Sequence, residues 1–144
     1  MRRLFSAILL AAGVLLATGA VASAGSLLAE VDISSQTMTV SEYGHVVYHW
    51  KVSTARQGYH TPRGAYRPIR LSRMWYSRKY HHSPMPHSVF FHGGYAIHGT
   101  YETRNLGLPV SHGCVRLHPQ DAATFFAMVQ EAGLANTRII VVDN

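Results

Sequence analysis

Cys114 is the only cysteine in the chain and stands in the run Ser111-His112-Gly113-Cys114-Val115-Arg116-Leu117. A thiol attacks as its thiolate, and an unperturbed cysteine with a pKa of ~8.5 is only slightly ionised at neutral pH, so it needs a base nearby. Two histidines are candidates. His112 lies two positions before the thiol, and the two share a face only if the segment is extended. His98 lies sixteen positions upstream, at the end of an expected strand, where packing can aim its ring and a backbone carbonyl beside Gly99 can hold its second nitrogen. An attacked carbonyl also develops an oxyanion. The N–H groups of Gly113 and Cys114 could receive it, because glycine permits the tight backbone such a nest requires. Arg116 adds a permanent cation with a planar fork suited to carboxylate. Together these are the parts of an acyl-transfer cysteine site.

Two other readings compete for the same residues. His92, His98, His112 and Cys114 are all possible zinc ligands, but structural zinc sites normally show short paired spacings, and a lone cysteine cannot form Cys-x-x-Cys. No metal and no cofactor is therefore expected. A buried, inert cysteine is the second alternative. Among the other histidines, His45 and His49 are expected to be satisfied core residues, and His81, His82 and His87 to be exposed on a loop.

The residues that must position this chemistry form a single domain. Residues 1–24 read as a cleaved secretory leader: Arg2 and Arg3, an apolar run from Leu4 to Val21, and the small-x-small pattern Ala22-Ser23-Ala24. Export to the periplasm or the cell-wall side of the inner membrane is the expectation, with no membrane span once the leader is removed. Losing two arginines lowers the formal charge from +6 to +4. That modest basic excess suits an anionic surface such as a cell wall, and no run of Lys or Arg reads as a nucleic-acid stripe. An unpaired cysteine in an exported protein is in turn usually either an intermolecular link or a reactive group.

From Leu27 to Val52 the apolar residues alternate as in strands, with turns at Ser34-Ser35-Gln36 and Glu42-Tyr43-Gly44-His45, so residues 25–144 open with a meander. Residues 53 to 64 read as loop and turn, and a further strand is expected near Ala65 to Arg70. Ser72 to His87 has neither period and is expected to be a long ordered loop. Its Trp75, Tyr76 and Tyr80, with the nearby His92, are candidate substrate walls. Val89–His92, a Gly93-Gly94 turn and Tyr95–His98 read as a hairpin, and Gly99 to Val110 as a loop. One helix is expected: Pro119 suits its first position, Asp121 complements its positive end, and Ala122, Phe125, Phe126 and Val129 repeat at helical spacing up to Gly133. Thr137 to Val142 is a final apolar strand.

Ile97-His98-Gly99-Thr100, followed after ten residues by Ser111-His112-Gly113-Cys114-Val115-Arg116, resembles the active-site signature of the L,D-transpeptidase catalytic domain, also called YkuD-type. The resemblance extends over the meander, Val52-Ser53-Thr54 to Thr61-Pro62-Arg63-Gly64, and the terminal helix and strand. It departs at Ala55, where the family often has glycine. It implies a mainly β fold, a sandwich or open barrel with one C-terminal helix before the last strand. It also implies Cys114 as nucleophile, His98 as base and later acid, and the Gly99 carbonyl as the group orienting the imidazole. Ser111, His112, Gly113 and Arg116 would hold the oxyanion and orient the substrate. The implied substrate is a peptidoglycan tetrapeptide stem. Its acyl group would pass, with release of D-alanine, to an amine on another stem, a lipoprotein lysine or a D-amino acid. A hydrolase on the same scaffold and a non-catalytic wall-binding module are the alternatives.

Overall fold

The computed structural model describes residues 25–144; the expected leader lies outside them. Nine strands and one α-helix follow in order: β1 (Leu27–Asp32), β2 (Thr37–Glu42), β3 (His45–Lys51), β4 (Gly64–Tyr66), β5 (Arg70–Tyr76), β6 (Pro84–His92), β7 (Tyr95–Gly99), β8 (Val115–Leu117), α1 (Pro119–Ala132) and β9 (Thr137–Val142). They form two sheets, β3-β2-β1-β9-β4 and β5-β6-β7-β8. The β1–β9 and β7–β8 pairs are parallel and the others antiparallel. The fold is thus mainly β, with its helix before the last strand.

The core lies between the sheets because alternate residues on each strand point inward. Ala29, Val31, Met38, Val40, Ile139 and Val141 of the first sheet meet Val89, Phe91, Ile97, Val115 and Leu117 of the second, all buried. Helix α1 closes this core against β6 and β7 with Ala122, Phe125, Phe126 and Val129. Pro119 stands at its start, where a missing N–H costs nothing, and the His118 ring accepts from Gln120 N as the N-cap. The second sheet therefore has a core face and an outer face. On the outer face Met85, Phe90 and Ala96 form a smaller buried cluster, with Trp75 and Cys114 packed against it.

Several expectations are corrected here. Ser72–His87 is not a long loop but most of the β5–β6 hairpin, leaving only residues 77–83 as its connection. Its prolines and histidines masked the period: Pro84 and Pro86 lie in β6, and His81, His82 and His87 take left-handed φ angles of 52°, 53° and 51°. The strand near Ala65 is a three-residue edge strand, with β5 starting at Arg70. His45 and His49 are exposed because β3 is a sheet edge, and His87 is half-buried against Phe126. The loop before the cysteine motif contains a short 3-10 turn, Thr103–Asn105.

Candidate active site

The cysteine run is held from both sides. On one flank β8 pairs in parallel with β7, setting Ile97 against Val115 and His98 against Arg116. On the other, the chain leaving β3 bridges back: Ser53 and Arg116 exchange backbone hydrogen bonds of 3.0 and 2.9 Å, Ser111 N donates to Thr54 O, and Arg56 N donates to Ser111 O. Thr54 is fixed in turn by the buried Gln36 side chain, which accepts from its N–H at 2.9 Å. These bonds immobilise the backbone around the thiol, as a site built on paired strands requires.

Cross-strand partners share a sheet face, so the register puts Arg116 beside His98 on the outer face, where Cys114 packs against the cluster that includes Ala96. Both Cys114 and His98 line a groove of ≈ 880 Å³. His98 is buried, and its Nδ1 donates to the Gly99 carbonyl at 2.7 Å, because a carbonyl can only accept. That bond fixes the tautomer and leaves Nε2 as the free lone pair. Burial holds the imidazole pKa down at about 4, against the Gly99 bond, which raises it, while Arg116 lowers it further. The ring is therefore neutral at neutral pH. Cys114 is half-buried, with Sγ 3.9 Å from Gly94 O. Burial pushes its thiol up, opposed by the Ala96 backbone and the Arg116 cation. Both groups therefore rest in their neutral forms, the imidazole because its pKa is held down and the thiol because its pKa is pushed up.

The two histidines differ in their hydrogen bonding. Arg56 Nη2 lies 2.6 Å from His112 Nε2, and a guanidinium can only donate, so the His112 Nε2 lone pair is already engaged. Its ring stacks on Tyr80 at 4.0 Å and meets Tyr59 edge-on at 4.9 Å. Burial and then Arg56 lower its pKa. His112 is thus a neutral wall bridging the cysteine run and the 77–83 connection.

The expected oxyanion donors divide differently. Gly113 N donates to Ser111 Oγ at 3.0 Å, so it is not free, and Ser111 Oγ donates to Cys114 O at 2.6 Å. Among the described residues the N–H groups of His112 and Cys114 have no hydrogen-bond partner and remain available. Gly113 is required for another reason. Its φ is +132°, and a Cβ there would lie 2.5 Å from Tyr95 Cε1 and 2.9 Å from His60 O. Its carbonyl accepts from Thr61 Oγ1 at 2.8 Å. At Gly99, a Cβ would come within 3.1–3.3 Å of Pro86, Pro119 and Ala122, where β7 passes the start of α1.

Of the expected substrate walls, Trp75 and Tyr80 line the groove and Tyr76 and His92 do not. Tyr76 follows Trp75 on a strand, so it projects to the opposite side and is exposed. His92 comes after a register shift in β6, and its ring packs on Tyr66 and Tyr95. Sequence reasoning missed Glu102, which binds Arg116 Nη1 at 3.1 Å, and also Arg56, Thr61 and Arg70. The only local hint was the Thr61-Pro62-Arg63-Gly64 turn, since the others reach the groove through tertiary contacts. Among the described residues no three His, Cys, Asp or Glu side chains group as a metal site would need, and no helix is long and apolar enough to cross a membrane.

Comparison with known proteins agrees with this architecture. Residues 27–141 match the family model of the L,D-transpeptidase catalytic domain, YkuD. No curated protein matches the chain. Among solved structures, an L,D-transpeptidase from Mycobacterium smegmatis is 26% identical, with a TM-score of 0.73 over 81% of this chain and 58% of its own. One from Stackebrandtia nassauensis is 28% identical, with a TM-score of 0.73 over 83% of this chain and 56% of its own. One from Xylanimonas cellulosilytica is 26% identical, with a TM-score of 0.66 and coverages of 83% and 62%. The chain thus spans less than two thirds of each. With the matched segment running from the first strand to the last and including the whole cysteine run, the protein belongs to the L,D-transpeptidase catalytic domain family.

Proposed function

We propose that the protein is an exported cysteine acyltransferase that acts on peptidoglycan tetrapeptide stems. The observation that carries this reading is that Cys114 and a buried, neutral His98 line one groove, the ring fixed through Nδ1 by the Gly99 carbonyl. Cys114 Sγ attacks the carbonyl carbon of the penultimate stem residue, and its proton passes to His98 Nε2. The N–H groups of His112 and Cys114 receive the developing oxyanion. The C–N bond to the terminal D-alanine then breaks, its nitrogen takes the proton from His98, and a thioester remains. An amine attacks that thioester, gives its proton to His98, and the C–S bond breaks to regenerate the thiol. Two such steps replace one difficult amide exchange.

Arg116 sits beside His98 on the neighbouring strand and, held by Glu102, acts as a fixed positive wall for substrate carboxylates. The acceptor is an amine on another stem, a lipoprotein lysine or a D-amino acid. The Arg2-Arg3 start, the apolar run and Ala22-Ser23-Ala24 support action on the outer side of the inner membrane.

Incubating the protein with a disaccharide-tetrapeptide and following the products by mass spectrometry tests this reading. Acyl transfer gives a dimer and free D-alanine, and Cys114→Ala gives neither. A shortened stem without dimer would make the protein a hydrolase, and an unchanged stem would leave a binding module.

A further inference from the structure

The groove carries more positive charge than the proposed reaction uses. Its lining holds Arg56, Arg70, Arg78, Lys79 and Arg116 against a single carboxylate, Glu102. Among the described residues there are two ion pairs, Arg63–Asp143 and Arg116–Glu102, so Arg70 and Arg78 have no acidic partner. The arginine side chains that form hydrogen bonds are Arg56, Arg63, Arg67 and Arg116. Arg70 and Arg78 instead lie over aromatic faces. The Arg70 guanidinium is 3.8 Å from the Phe90 centroid and 4.6 Å from that of Trp75, and Arg78 is 5.7 Å from Trp75. Stacking orients a guanidinium while leaving its edge N–H donors free, the arrangement that takes a carboxylate through two parallel bonds. Like charges gathered in a concave, partly apolar wall repel one another unless an anion occupies it.

The position relative to the sulfur is set by the sheet. Arg70 pairs with Phe90, Phe90 with Ala96, and Cys114, the residue before β8, packs against the Met85, Phe90 and Ala96 cluster, so one row leads from Arg70 across the sheet towards the nucleophile. Three strand spacings make about 14 Å between the backbones of Arg70 and Cys114. Allowing for the arginine's own reach, an extended peptide covers the remaining gap in roughly two to four residues. That is too far for the terminal carboxylate of the leaving residue, which adjoins the attacked carbonyl. It suits a carboxylate further along the acyl donor.

We propose that Arg70, Trp75 and Arg78 form an anion subsite that selects acyl donors bearing a free carboxylate upstream of the bond that is broken. This inference rests on the acyl-transfer reading above. The experiment separates the two by using stem tetrapeptides with free carboxylates and the same peptides amidated upstream, without acceptor. Acylation of the wild-type protein is followed by mass spectrometry, and equilibrium binding is measured on Cys114→Ala.

The expected result is a preference for the free acid of roughly tenfold in both readouts, the size of one charge-assisted contact. The preference should shrink with added salt, fall to about one in Arg70→Gln/Arg78→Gln, and return in part in Arg70→Lys/Arg78→Lys. Thermal melts establish that the variants fold. Acylation with no preference, or a preference kept by the glutamine variant, would overturn the subsite and leave acyl transfer standing. Charge-dependent binding with no acylation of Cys114 would uphold the subsite and sink acyl transfer.

Discussion

His98 keeps its base form well into acid because burial disfavours the imidazolium, holding its pKa at about 4. If it serves as the base, the acid limb of the kcat/KM profile lies near that value and not near the ~6.5 of a free imidazole. A limb at the ordinary position would assign the proton transfer to another group. His98→Gln should lower kcat by about 10²- to 10⁴-fold while leaving binding measurable. Since burial raises the thiol pKa, alkylation of Cys114 by iodoacetamide should be slow at neutral pH and accelerate only above the usual cysteine range. Gly113→Ala places a methyl group against Tyr95 and the His60 carbonyl. Activity should be lost even where circular dichroism shows a folded protein.

Elements supply the rigidity that single residues cannot. The Val52–Arg56 stretch and β7 grip the cysteine run from opposite sides, and Thr61 ties the grip together. Its Oγ1 accepts from Ala55 N at 3.1 Å and donates to Gly113 O at 2.8 Å. Thr61→Val keeps the shape but strands both groups, which should cost about 1–3 kcal/mol in urea unfolding. Helix α1 works from behind, backing β6 and β7 so that Gly99 and His98 keep their places. Phe125 is fully buried, and Phe125→Ala should cost about 3–5 kcal/mol with an unchanged m-value. A neutral result at either position would mean that the site does not depend on these supports.

At the scale of the whole molecule, His98 links folding to pH. Its folded pKa of about 4 lies below the ~6.5 of a free imidazole, so between them the unfolded chain binds more protons. The stability this provides is fully present above pH 6.5 and is lost as the pH falls through 4, in all about 3 kcal/mol. Urea titrations at pH 7 and pH 4 should show that loss in the wild type and much less of it in His98→Gln.

The opening meander, the helix from Pro119, the last strand and the presence of Cys114 and His98 in one groove were legible in the sequence. Alternation, capping residues and rare side chains act locally or in a fixed motif, and these leave a mark on neighbouring letters. The β5–β6 hairpin was not legible, because left-handed histidines and strand prolines interrupt its period. Nor was the engagement of His112 Nε2 by Arg56, which is 56 residues away from it in the chain. Which N–H groups stay free, which aromatics wall the groove and which arginines lack a carboxylate depend on contacts between distant segments. Only the folded chain fixes these, because a hydrogen bond or an ion pair exists only where both of its partners have been brought together.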